Sequence, residues 1–150
     1  MLKLLLVSLI LTGMTVLIHG IGTLYAVLHI VRLWVRRHYG QKALDVEMLI
    51  IRLVSCLLLL HLIEAGIWAS FYYFSGTIAS FETAAYYSLT SYTTVGYGDV
   101  VLTGHWRLLG PIEASVGVLM LGWSTGIIVT AILKAYNSRL KLTLTDPDQS

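Results

Sequence analysis

Residues Ser91 to Val100, reading SYTTVGYGDV, place two glycines, two threonines and an acid between long apolar runs. Backbone of that kind cannot face lipid, where an unsatisfied N–H or C=O costs several kcal/mol. It must be walled off by protein or face a water-filled space. Gly96 and Gly98 can take positive φ at little steric cost. Alternated with ordinary residues, they turn successive carbonyls of Thr94, Val95, Gly96, Tyr97 and Gly98 to one side, with the Val95 and Tyr97 side chains aimed away into protein. The chemistry this predicts is a column of oxygens. Several copies around an axis would stack those oxygens into cages able to replace the hydration shell of a cation.

A second constellation lies upstream. Glu64 is an acid inside an apolar segment, and an intramembrane ionisable residue calls for a partner. It stands roughly 18 Å above Arg52 along a helix, and His19 stands roughly 20 Å above Arg32 on the preceding segment. Antiparallel packing would bring the two level, and His61, three residues before Glu64, shares its face. The spacing predicts that Glu64 bonds to His19, to His61 or to the back of the segment near Thr90 that leads into the oxygen column. One reading is an acid that only joins helices; the other is a proton-sensitive cluster of Glu64, His19 and His61.

The elements that must position these groups are membrane spans. The chain of 150 residues is 57% hydrophobic and 12% charged, with a mean hydropathy of +0.78, whereas soluble domains carry about 25% charged residues. Three apolar blocks stand out: Leu4–Val31, Leu53 to about Phe74, and about Pro111 to Leu133. The first would measure roughly 42 Å as a helix against about 30 Å of bilayer core, so it must tilt, kink near Gly20-Ile21-Gly22 or end among headgroups. It is too long for the h-region of a cleavable signal peptide. Arg32, Arg36, Arg37 and Lys42 follow the first block; Lys134, Arg139 and Lys141 follow the third. The positive-inside rule then predicts the 32–45 loop and the C-terminus in the cytoplasm, with the N-terminus outside. Arg32 and Arg36 sit at a helix end and read as topological anchors, not as a voltage sensor.

Between the second and third blocks, Ser80 can cap a short helix from Phe81 to about Tyr92, with Glu82 in its first turn. At roughly 18 Å it is too short to span but long enough to re-enter, delivering Thr93 near mid-depth with the negative end of its dipole toward the bilayer centre. Trp68, Tyr72, Tyr73 and Trp106 read as an outer interfacial aromatic belt. Gly122, Trp123 and Gly126 read as helix packing. His105 reads as a solvated loop histidine. The single cysteine, Cys56, reads as a small packing residue, and Thr143 to Ser150 as a disordered tail.

"TTVGYGD", residues 93–99, resembles the signature of the potassium channel pore domain, in which filter carbonyls replace the ion's water. The resemblance covers about residues 46–136, most like the small bacterial proteins with one pore loop. It implies that Thr94, Val95, Gly96 and Tyr97 hold K+, with Gly98 completing the filter. It makes Asp99 the acid braced by a pore-helix aromatic, Tyr86 and Tyr87 the counterparts of paired tryptophans, and Gly117 the hinge glycine. Thr90 stands where some relatives carry a pore-helix glutamate. Trp106-Arg107 resembles the start of the inner helix, which should begin or bend near Pro111, and Thr125, Val129 and Ile132 form a candidate pore-facing stripe.

The fold class expected is an all-α membrane protein: three transmembrane helices, a re-entrant pore helix and a filter loop, assembled as a homotetramer. Its parts would be an extra helix and basic loop (1–45), a pore domain (46–141) and a short tail (142–150). The function implied is a potassium-selective channel, not an enzyme, in a plasma or inner membrane. It would need no cofactor beyond K+ as permeant ion, contact membrane lipid, and have neither a nucleic-acid partner nor a soluble ligand domain. A non-conducting or regulatory channel subunit and a cation transporter subunit are the alternatives. A transporter descended from fused pore units would carry four repeats and a single key glycine per filter; this chain has one repeat and both glycines.

Overall fold

The computed structural model describes residues 1–37 and 43–145. Four α-helices follow in order: α1, Leu2–Arg37; α2, Ala43–Phe74; α3, Phe81–Tyr92; and α4, Leu109–Thr145, with a single 3-10 turn at Gly104–Trp106 before α4. No strand occurs among the described residues. Helices are what an apolar chain must form in hydrocarbon, since each then satisfies its own backbone. Three stretches are long and apolar enough to cross a bilayer: Leu2–Val35, Val46–Phe74 and Gly104–Asn137. The protein is a multi-pass, all-helical membrane protein.

Each long helix outruns its apolar block. α1 is unbroken through Gly20-Ile21-Gly22 and reaches Arg37, so Arg32 lies on a helix end and not in a loop. The glycine pair serves packing instead of a kink: a Cβ on Gly22 would strike the Leu60 side chain of α2 at 2.6 Å. Small residues allow such close approach between membrane helices. Lys42 falls outside the described residues, as do the side chains of Arg36, Arg37, Arg139 and Lys141. α4 continues to Thr145, so the first residues of the expected tail are helical; residues 146–150 lie outside the described part.

α3 forms as the sequence predicts. Ser80 is extended, and its hydroxyl accepts from the Thr83 N–H at 3.1 Å. Glu82 lies in the first turn. α3 beds against α2 and α4, while α1 packs on the far side against the same two helices. Pro111 falls in the first turn of α4, where no intrahelical N–H is lost.

The expected aromatic belt is mostly core. Trp68, Tyr72 and Trp106 are buried, leaving Tyr73 exposed. Two polar tips help explain the difference, because Trp68 and Tyr72 each have an internal partner. Trp68 Nε1 donates to Thr15 Oγ1 at 3.0 Å, and Tyr72 donates to Glu113 Oε2 at 2.7 Å. Phe71 meets Trp106 edge-on at 5.3 Å. Cys56, expected in packing, lies on an exposed face.

Candidate pore loop and the network behind it

Thr93 caps α3, its N–H donating to Leu89 O. Two bonds fold the next residues back on the helix end: Thr94 N–H to Ser91 O at 2.9 Å, and Gly96 N–H to Thr90 O at 3.0 Å. φ is positive at Thr94 (63°), Gly96 (52°) and Gly98 (80°), and at neither Val95 nor Tyr97. The backbone therefore alternates in hand along residues 94–98. The glycines were foreseen in this role and Thr94 was not. A β-branched residue at positive φ is a rare conformation, costing about 1–3 kcal/mol and held only where its surroundings dictate it.

This loop is open within the single chain. A Cβ added to Gly96 or Gly98 would meet nothing within 4 Å. Val95 and Tyr97 were expected to point into protein, yet they are 54% and 71% exposed. The Tyr97 ring stacks on Tyr86 with centroids 6.4 Å apart. Tyr86 donates to Asp99 Oδ2 at 2.8 Å, and Asp99 Oδ1 accepts the Val100 N–H. The Tyr87 ring instead turns inward, edge-on to Tyr72 at 5.2 Å.

Thr90 reaches neither Asp99 nor Glu64; its hydroxyl donates to Tyr87 O at 2.9 Å. Thr125, Val129 and Ile132 are exposed on α4, and the Thr125 hydroxyl donates to Leu121 O. Gly117, the expected hinge, has a packing role: the Tyr92 carbonyl presses where its Cβ would be, and no larger residue fits.

Behind α3 the residues are fully paired. Glu64, His19 and His61 come together, joined by two residues that sequence reasoning missed, Tyr92 and Ser124. His19 Nδ1 donates to Glu64 Oε1 at 2.8 Å, and Tyr92 donates to Glu64 Oε2. His61 Nδ1 lies 3.0 Å from the Tyr92 oxygen and 3.5 Å from Glu64 Oε2. The far nitrogens, His61 Nε2 and His19 Nε2, reach Ser124 Oγ at 3.0 and 3.4 Å. The resulting closed ring takes a member from every helix.

A second buried acid also escaped notice. Glu113 of α4 accepts from Tyr72 at 2.7 Å and contacts Ser88 Oγ at 2.5 Å, and Ser88 also donates to Ala65 O at 2.6 Å. The signal was present, since Glu113 is the one acid in the third apolar block, as Glu64 is in the second. No buried side-chain polar atom lacks a partner among the described residues.

No curated protein and no solved structure matches the chain. The profile of a family described as ion channel matches residues 58–134, just over half of the chain, spanning the second half of α2, α3, the loop after it and most of α4. The protein belongs to the ion channel family.

Proposed function

We propose that the chain is the pore-forming subunit of a potassium-selective channel, four copies surrounding one pore. The observation that carries this reading is the alternation of backbone hand through Thr-Val-Gly-Tyr-Gly, with both glycines facing open space. An unpaired, irregular loop at membrane depth has to be covered by protein or water. Copies around an axis supply that cover, and they bring four sets of carbonyls to bear on one ion. The end of α3 adds its partial negative charge at the base of the column.

On this reading K+ is the permeant ion, with sites at the Thr94 hydroxyl and carbonyl and at the carbonyls of Val95, Gly96 and Tyr97. Gly98 completes the filter. Asp99, held by Tyr86, braces the outer mouth, and Tyr87 and Thr90 support the loop from the helix. Thr125 and Gly117 lie on the inner helix, where a cavity and a bend belong. The basic residues at the end of α1 and in α4, read by the positive-inside rule, favour a cell membrane with the C-terminus in the cytoplasm and the N-terminus outside. Ion movement is passive, and no catalysis is involved.

The test is flux into liposomes containing this chain alone. Potassium should run down its gradient at a rate far above sodium. Equal potassium and sodium rates would overturn the selectivity, and absence of flux would favour a regulatory subunit.

A further inference from the structure

The ring behind the pore helix has the donor set and spacing of a metal site. We propose that His19, His61 and Glu64 bind a divalent transition-metal ion of the Zn2+ class, with the Tyr92 oxygen as fourth position. The ligand atoms of the first three lie within 4.8 Å of one another. With bonds of about 2.0–2.1 Å, neighbouring ligands around a tetrahedral ion stand about 3.3 Å apart. His19 Nδ1 stands 2.8 Å from Glu64 Oε1, while His61 Nδ1 stands 3.5 Å from Glu64 Oε2 and 3.0 Å from the Tyr92 oxygen. These separations lie around that spacing, and one ion would meet both imidazoles through a turn of the Glu64 carboxylate, whose two oxygens they now approach.

The outer shell is also in place. A ligating imidazole uses one nitrogen for the metal and donates the other N–H to a fixed acceptor. Both Nδ1 atoms here face Glu64, and both Nε2 atoms face the one hydroxyl of Ser124, whose oxygen can accept from both. Without the ion His19 Nδ1 donates to Glu64; on loading that proton leaves, and with each Nε2–H held by Ser124 both Nδ1 lone pairs face the ion. Two imidazoles with two oxygens suit a borderline cation, whereas Ca2+ and Mg2+ prefer oxygen alone. The His19 ring packs edge-on against Trp123 at 5.2 Å, and Trp123 lines a cavity of about 740 Å³ between α1, α2 and α4.

The ion would clamp α1 to the base of α3. Tyr92 is the last residue of α3, so the filter loop would start from a fixed point, with α1 as part of the clamp. This proposal stands apart from potassium selectivity and is read without any flux measurement. Zn2+ titrated into the purified full-length chain should bind once per chain and raise its melting temperature. His19→Gln and Glu64→Gln should weaken binding roughly 100-fold. Ser124→Ala, which keeps every ligand, should weaken it about 10- to 100-fold. Co2+ in place of Zn2+ should give the intense visible bands of a tetrahedral site. A folded wild-type chain without stoichiometric Zn2+, a Co2+ spectrum of octahedral type, or binding that persists in His19→Gln would each overturn the assignment. If the ligand variants fail to fold, the wild-type spectrum and Ser124→Ala still decide it.

Discussion

The two sides of α3 differ in how complete they are. Behind it, Ser88 and Tyr92 are buried and bonded to Glu113 of α4 and to Glu64 and His61 of α2, which His19 of α1 and Ser124 of α4 join in turn. In front, residues 94–98 alternate in backbone hand, carry a strained threonine and stand largely uncovered. The back is finished within one chain and fixes the position of the helix. The front stands open within the one chain. On the channel reading, the side that carries function is the one that borrows contacts from other copies, while stability is built where no copy is needed.

The largest effect should follow from closing the open side. Gly96 sits at φ 52° with nothing within 4 Å of an added Cβ, so Gly96→Ala meets no clash within the chain. Its cost is the left-handed backbone, about 1–2 kcal/mol per chain, and every copy bears it. On the channel reading the variant should lose potassium-selective flux entirely while remaining folded and oligomeric. Flux in liposomes and cross-linking of the purified protein check this. Full selectivity in the variant would place the filter elsewhere.

Much of this organisation was legible in the sequence, and what was missed has a common cause. The spans, the capped α3 and the glycines of the loop follow from hydropathy, a cap residue and backbone sterics, all local quantities. The pairing of Glu64 with His19 was also accessible, because depth along antiparallel helices is a one-dimensional measure. Tyr92 and Ser124 were not, because their place in the ring depends on how α3 and α4 are rotated against α2. Rotation decides the aromatic residues too: Trp68 and Tyr72 face inward where a belt was expected. Thr94 escaped for a different reason, since its positive φ is imposed by the folded loop against its own preference.

An intermediate effect is expected from the back. Glu113→Ala leaves the buried Tyr72 hydroxyl without its acceptor and opens a void, a combined loss of about 2–4 kcal/mol. Glu113→Gln should be far milder. Ser88 has one proton for two acceptors, Ala65 O and Glu113 Oε1. A glutamine amide could donate to Ser88 and still accept from Tyr72. Chaotrope unfolding of the purified chain should rank wild type close to Glu113→Gln, with Glu113→Ala well below. Equal stability of the alanine variant and wild type would remove Glu113 from the brace.

The smallest effect sharpens the division at its far edge. Residues 58–134 match the ion channel family, and α1 lies outside that match, yet Thr15 of α1 holds the indole of Trp68 at 3.0 Å with both residues fully buried. Thr15→Val preserves shape and removes the acceptor. Hydrogen bonds between membrane helices are worth about 0.6 kcal/mol on average and about 1.7 at most, because the unfolded chain in lipid also finds partners. The variant should therefore unfold slightly earlier than wild type. Its ion selectivity should be unchanged, since Thr15 meets α2 and has no contact with the loop. A Thr15→Val chain that assembled normally but conducted sodium as well as potassium would show that α1 shapes the filter directly, and the separation between a self-sufficient back and a borrowed front would fail.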